Sequence, residues 1–118
     1  ADLEGLEVIA ERLRRAIADS VYELGDGQVA RLTCSIGFTS YPVGAREILG
    51  MTLEQVLALA DKALYEAKRA GRNRWAGLIG TMATTFESVQ QLLQSEPGDP
   101  VPREFRVLVP PPQDTPST

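Results

Sequence analysis

The side chains with the clearest chemical potential are two cations close together in the second half of the chain. Lys68 and Arg72 are four residues apart, with Gly71 between them and Asn73 following. On a helix that spacing places both side chains on one face, where an ammonium and a guanidinium fork suit a phosphate group. Basic residues in a last helical turn also complement the helix dipole and bond free carbonyls. The spacing alone leaves both interpretations open.

The amino-acid composition excludes several other kinds of chemistry. The 118 residues include no histidine and a single cysteine, Cys34, which excludes Ser-His and Cys-His hydrolases, His-ligated metals and an internal disulfide. A net charge of -4 argues against broad binding of nucleic acid, and no apolar run approaches the ~20 residues that span a bilayer. We therefore expect no nucleic-acid contact and no membrane contact from this segment. The lone cysteine favours a reducing compartment, hence the cytoplasm.

Two long helices are predicted to position the cations. Apolar residues at intervals of three and four predict a helix over residues 2–24, with Glu11 on its solvated face. A second helix opens with the capping box Thr52-x-x-Gln55, and Gly71 stands where its end favours a left-handed residue. Alanines on the apolar stripe of this second helix would allow close approach to a sheet.

Strands and a third helix complete the predicted elements. Alternating apolar residues predict a strand over 28–39 with Cys34 in the core, and a short strand over 73–79. The sequence Thr84-x-x-Glu87 is typical of another capping box, and residues 105–109 predict a last strand.

The order of residue types in three segments resembles that of a known family. The segments are Ala10-Glu-Arg-Leu-Arg14, Leu32-Thr-Cys-Ser-Ile-Gly-Phe38 and Leu57-Ala-Leu-Ala-Asp-Lys-Ala-Leu-Tyr-Glu-Ala-Lys-Arg-Ala-Gly-Arg-Asn-Arg74. Over about residues 3–79 the chain resembles the C-terminal half of a GGDEF domain, the domain of the diguanylate cyclases. The resemblance implies an α/β fold with helices on a central, mainly antiparallel sheet. That sheet would be incomplete here, because the Gly-Gly-Asp/Glu-Glu-Phe hairpin, which in the family lies just before Ala1, is absent.

The resemblance also implies roles for three residues. Lys68 and Arg72 match the pair that contacts the terminal phosphates of GTP, and Arg12 matches an arginine of the inhibitory cyclic di-GMP site in some members. It implies Mg²⁺ in the intact domain, held by ligands that are not in this chain. The first expectation is therefore a C-terminal portion of a bacterial diguanylate cyclase, which joins two GTP into cyclic di-GMP. With no catalytic residue of its own, the isolated chain is expected to be inactive.

The resemblance also implies a domain organisation and a set of partners. Residues 1–79 would be the C-terminal part of the domain, 80–109 an extension, and 110–118 a disordered tail. GTP and cyclic di-GMP would be the ligands, with homodimer formation or self-association. The protein would be cytoplasmic, and any membrane anchor of the parent would lie in upstream segments. The alternative is a degenerate, non-catalytic GGDEF module that binds nucleotide or a protein partner.

Overall fold

Three helices and five strands are arranged along the chain. A computed structural model describes residues 3–40 and 51–111. The elements are α1 (Leu3–Ala18), β1 (Tyr22–Gly25), β2 (Gln28–Ala30), β3 (Ile36–Thr39), α2 (Leu53–Arg69), β4 (Trp75–Gly80), α3 (Phe86–Gln94) and β5 (Phe105–Leu108).

The strands form a mixed three-stranded sheet and a separate hairpin. In the sheet, with strand order β3-β4-β5, β3 runs parallel to β4, and Ile36 is opposite Trp75. β5 runs antiparallel to β4, and Phe105 is opposite Gly80. β1 and β2 pair antiparallel as the hairpin. The α/β class expected from the sequence is confirmed.

Helix α2 lies directly against β3, as its alanine stripe predicts. A Cβ atom at Gly37 would overlap the backbone of Ala60 and Leu64 in α2. The buried hydrophobic cluster extends from α2 across β4 to α3 and β5. It comprises Leu59, Ala63, Leu78, Val89, Leu92 and Phe105. Residues 80–109 therefore complete the core by packing on the same sheet.

The first predicted helix and the long predicted strand are both shorter than expected. Helix α1 ends at Ala18, because the chain turns into the β1–β2 hairpin, where Gly25, Asp26 and Gly27 all have positive φ (94°, 53° and 76°). Residues 31–35 pair with no strand in the described part of the chain, so the predicted strand over 28–39 divides into β2 and β3. Cys34 is half-buried rather than in the core.

The third helix begins one residue later than its predicted capping box. The Thr84 hydroxyl is already engaged with the Glu104 carbonyl and the Thr81 amide, each at 2.7 Å. Thr85 caps the helix instead, through a reciprocal pair of hydrogen bonds with Ser88. The last strand is confirmed as β5, whereas residues 112–118 of the predicted tail lie outside the described residues.

The apolar stripe of α1 is only partly covered. Ala10 is buried, but Ile9 and Leu13 are 54% and 53% exposed. The helix places Arg14 inward, with 8% exposure. Within the described residues, no helix is long and apolar enough to cross a membrane.

Candidate functional site

The end of helix α2 is closed by a Schellman motif. The Arg72 amide donates to the Ala67 carbonyl (3.1 Å), and the Gly71 amide donates to the Lys68 carbonyl (3.3 Å). Gly71 has φ +130°, which confirms the predicted left-handed position. A Cβ atom there would also lie 2.9 Å from Nη2 of Arg74. The turn therefore requires glycine at this position.

The backbone stays left-handed for two further residues. Arg72 and Asn73 have φ values of 62° and 48°. Asparagine tolerates this region, whereas arginine adopts it rarely and at some cost in strain. Because α2 ends at Arg69, the prediction that Lys68 and Arg72 share a helix face is wrong: Arg72 lies in the turn beyond the helix.

A buried arginine from α1 holds this turn. Nη1 of Arg14 donates to Oδ1 of Asn73 at 2.9 Å, across 59 residues of sequence. The same guanidinium donates through Nε and Nη2 to the two carboxylate oxygens of Glu11, at 2.9 and 2.8 Å. Arg15 adds an exposed contact to Glu11 at 2.9 Å. This network fixes the residue next to Arg72.

The turn is also tied to the sheet. Nε of Arg74 donates to the Arg72 carbonyl at 3.1 Å, and the Ile36 amide of β3 donates to the Arg74 carbonyl at 3.0 Å. The backbone of Arg72 is thus linked to the first residue pair of the parallel strands.

Electrostatics favour the ionised form of the Glu11–Arg14 pair. The hydrogen bond from Arg14 is the main cause that lowers the pKa of Glu11 from 4.5 to about 2, with Arg15 adding a smaller contribution. The hydrogen bond to Glu11 likewise raises the pKa of Arg14. Both side chains are charged at neutral pH, so each partly buried charge is compensated by the other.

Three cations near this network remain available to a ligand. Lys68 and Arg72 are exposed, and neither side chain has a hydrogen bond or ion pair within residues 3–40 and 51–111. The same is true of Arg12 on α1. Arg69, by contrast, lies 3.7 Å from Glu66. Free guanidinium and ammonium groups of this kind can bind phosphate oxygens.

The described residues do not provide a metal centre. Among them there is no group of three or more His, Cys, Asp or Glu side chains that could hold a metal ion.

Sequence reasoning missed the Arg14–Glu11–Asn73 network. It placed Glu11 on a solvated face, although the spacing of Glu11 and Arg14 at i and i+3 is a signal for an ion pair. No local sequence pattern predicts the contact between Arg14 and Asn73, because it depends on how α1 docks beside β4.

These features define an α/β domain with an exposed cationic turn after its second long helix. Residues 1–74 match the sequence profile of the family described as "Diguanylate cyclase, GGDEF domain". The chain belongs to this family, and the resemblance found in its sequence is confirmed.

Curated relatives match the same part of the chain. Diguanylate cyclase DgcP of Pseudomonas aeruginosa is 40% identical over 72 residues, which cover 61% of this chain and 10% of that protein. Diguanylate cyclase A of Treponema denticola is 36% identical over 66 residues, or 56% of this chain and 16% of its own length. The uncharacterized protein YhcK of Bacillus subtilis is also 36% identical over 66 residues, covering 56% and 17%. The chain thus spans no more than about a sixth of these relatives, and no solved structure matches it significantly.

Proposed function

We propose that this chain is the C-terminal portion of a diguanylate cyclase domain, which converts two GTP into cyclic di-GMP in bacterial second-messenger signalling. Residues 1–79 would belong to the domain proper, 80–109 to an extension that completes its core, and 110–118 to a tail. The protein would act in the cytoplasm. Family membership supports this proposal, as do the two relatives whose names identify them as diguanylate cyclases.

Within the complete domain, Lys68 and Arg72 would contact the terminal phosphates of GTP. The observation that carries this role is that both cations are exposed and unpartnered in the described chain, beside a turn that Arg14 holds in a strained, left-handed conformation. The hydrogen bonds of the turn fix the backbone that carries Arg72, which reduces the reorganisation needed to place this cation on a phosphate. Arg12 would contribute to a product-inhibitory site.

The chain would supply binding but not catalysis. Phosphodiester formation requires activation of a 3′-hydroxyl and neutralisation of a triphosphate, and these residues offer cations for the second requirement alone. Two domains, each holding one GTP, would have to meet, so we also propose a homodimer. The isolated 118 residues are then expected to yield no cyclic di-GMP from GTP and Mg²⁺ when the products are separated by chromatography.

The role of the cations can be tested in a longer protein that carries this sequence together with the GGDEF hairpin. Lys68→Ala and Arg72→Ala should each reduce turnover of GTP by about thirtyfold, the equivalent of roughly 2 kcal/mol for a charge-assisted contact. Arg103→Ala is a suitable control, because this exposed arginine precedes β5, whose Phe105 pairs with the far end of β4.

Lys62 is a poorer control, because its Nζ donates to the Ser95 carbonyl at 2.8 Å and so supports the fold. Small and equal effects of Lys68→Ala, Arg72→Ala and Arg103→Ala would contradict a phosphate role. They would instead favour the structural interpretation, in which the basic residues complement the end of the helix.

A further inference from the structure

A separate cavity lies between α2, α3 and the loop at 95–101. Its volume is about 320 Å³, within the ~300–1,000 Å³ typical of small-molecule sites. Much of its wall comes from residues after 74, beyond the stretch that matches the family profile. Neither Lys68 nor Arg72 lines it, so the cavity is distinct from the candidate phosphate site.

The inner surface of the cavity is apolar. Leu78 and Leu92 are 1% and 2% exposed and belong to the main hydrophobic cluster. Ala58, Leu93 and Val101 extend this surface toward the opening. An apolar ligand body would gain free energy by covering this surface.

Four carboxylates surround the same space. They are Asp61, Glu66, Glu96 and Asp99. Lys62 is the one cation among the lining residues, and its Nζ is already bonded to the Ser95 carbonyl at 2.8 Å. The lining residues therefore carry a net charge of -3, part of which Arg69 offsets at 3.7 Å from Glu66. This negative surface repels phosphates and nucleotides and attracts cations.

Hydrogen bonds within the loop hold the Asp99 carboxylate. The Glu96 amide donates to Oδ2 of Asp99 (2.9 Å), and the Asp99 amide donates to the Glu96 carbonyl (3.0 Å). Asp61 has no hydrogen-bond or ion-pair partner among the residues that the structure describes, so its carboxylate is available. The Tyr65 ring adds a π surface that attracts cations.

We propose that this cavity binds a small organic cation, one with an apolar body and a primary ammonium group. The body would lie on the leucines, and the ammonium would be placed beside Asp61 of α2, since Glu66 already lies 3.7 Å from Arg69. The size of the cavity favours a free small molecule. The site gives the extension a ligand-binding role that does not require GTP binding or cyclase activity.

Titration of the ¹⁵N-labelled 118-residue chain with 2-phenylethylamine tests this site by amide chemical shifts. The amine should produce saturable shifts at Leu93, Gly98 and Val101 within about 10 mM, since so small a ligand is expected to bind in the millimolar range. The neutral analogue 2-phenylethanol should bind about tenfold more weakly, and 3-phenylpropionate should cause no saturable shift. Added salt should weaken amine binding.

Variants that change either the charge or the shape of the cavity distinguish the two contributions to amine binding. Asp61→Asn should weaken amine binding by about fivefold and Glu66→Gln by less, because Glu66 is already paired with Arg69. Glu23→Gln, an equal charge change on the β1–β2 hairpin, should leave binding unchanged. Ala58→Leu should fill the cavity and abolish binding of both amine and alcohol. Equal binding of amine and alcohol, unchanged affinity in Asp61→Asn, or no saturable shift of the correctly folded chain would overturn the proposal.

Discussion

At the scale of single residues, Arg14 is the side chain on which the candidate site depends most. It is buried, donates three hydrogen bonds and joins α1 to the turn that carries Arg72. Its removal would leave Glu11 and Asn73 without their main donor, and a partly buried group that loses its partner bears a desolvation cost.

Arg14→Ala should therefore lower the free energy of unfolding by about 2 kcal/mol in urea denaturation. Arg15→Ala is the matched control, because Arg15 bonds to the same Glu11 oxygen at 2.9 Å, but its side chain is 69% exposed. The control should cost no more than about 0.5 kcal/mol. Equal losses in the two variants would show that burial and the contact with Asn73 add nothing.

The Glu11–Arg14 pair also predicts a pH dependence. The pKa of Glu11 is lowered from 4.5 to about 2 in the folded chain, so the unfolded state binds its proton more readily. The contribution of Glu11 to stability is therefore fully present above about pH 4.5 and is lost as the pH falls toward 2. Glu11→Gln should remove this part of the acid destabilisation, measured as the change in urea midpoint between pH 6 and pH 3. Parallel pH profiles of the two proteins would contradict the assignment.

At the scale of elements, the packing of α2 on β3 depends on the absence of a side chain at Gly37. Its Cβ would overlap the backbone of Ala60 and Leu64, and a backbone cannot move aside as a flexible side chain can. Any residue larger than glycine would have to push the helix away from the sheet and open the core beside Ala63.

Gly37→Ala should therefore destabilise the fold by about 3 kcal/mol, at the upper end of the usual cost of overpacking. Gly25→Ala provides the comparison, because its Cβ would meet no atom within 4 Å, although its φ of +94° adds strain. That strain should cost only about 1 kcal/mol. A smaller loss for Gly37→Ala than for Gly25→Ala, measured by urea unfolding, would mean that α2 can shift without penalty.

At the scale of the whole molecule, the exposed stripe of α1 is the feature that most affects solution behaviour. Ile9 and Leu13, one helical turn apart on this stripe, are 54% and 53% exposed. At ~25 cal/mol per Å², a few hundred Å² of uncovered apolar surface amounts to several kcal/mol, comparable with the stability of a small domain. We expect the isolated chain to self-associate through this stripe or to be only marginally folded.

Sedimentation equilibrium should detect association of the isolated chain and a shift toward monomer in the double variant Ile9→Lys/Leu13→Lys. Met82→Lys is the control, because Met82 is 86% exposed but lies between β4 and α3, away from the stripe. A strictly monomeric chain that melts sharply above about 65 °C would contradict this expectation.

Local sequence patterns predicted those elements that depend only on residues a few positions apart. The Thr52–Gln55 capping box and the left-handed Gly71 each depend on neighbours in sequence, and both were predicted correctly. The apolar stripe of α2 was predicted only in part, because Ala63 and Ala67 are buried whereas Leu53 and Leu57 are 73% and 57% exposed. The family was also predictable, because the motif that ends at Arg74 is specific in both residue type and spacing.

The features that were not predicted depend on contacts between residues far apart in sequence. Whether Arg14 would be solvated or buried depended on how α1 docks against the sheet, and its bond to Asn73 crosses 59 residues that no local pattern relates. The predicted strand over 28–39 divided because a strand exists only where another backbone accepts its hydrogen bonds, and that pairing is long-range. The position of Arg72 combines local and long-range contacts: Gly71 and the Schellman hydrogen bonds end α2 locally, and the hydrogen bond from the Ile36 amide of β3 to the Arg74 carbonyl ties the turn to the sheet.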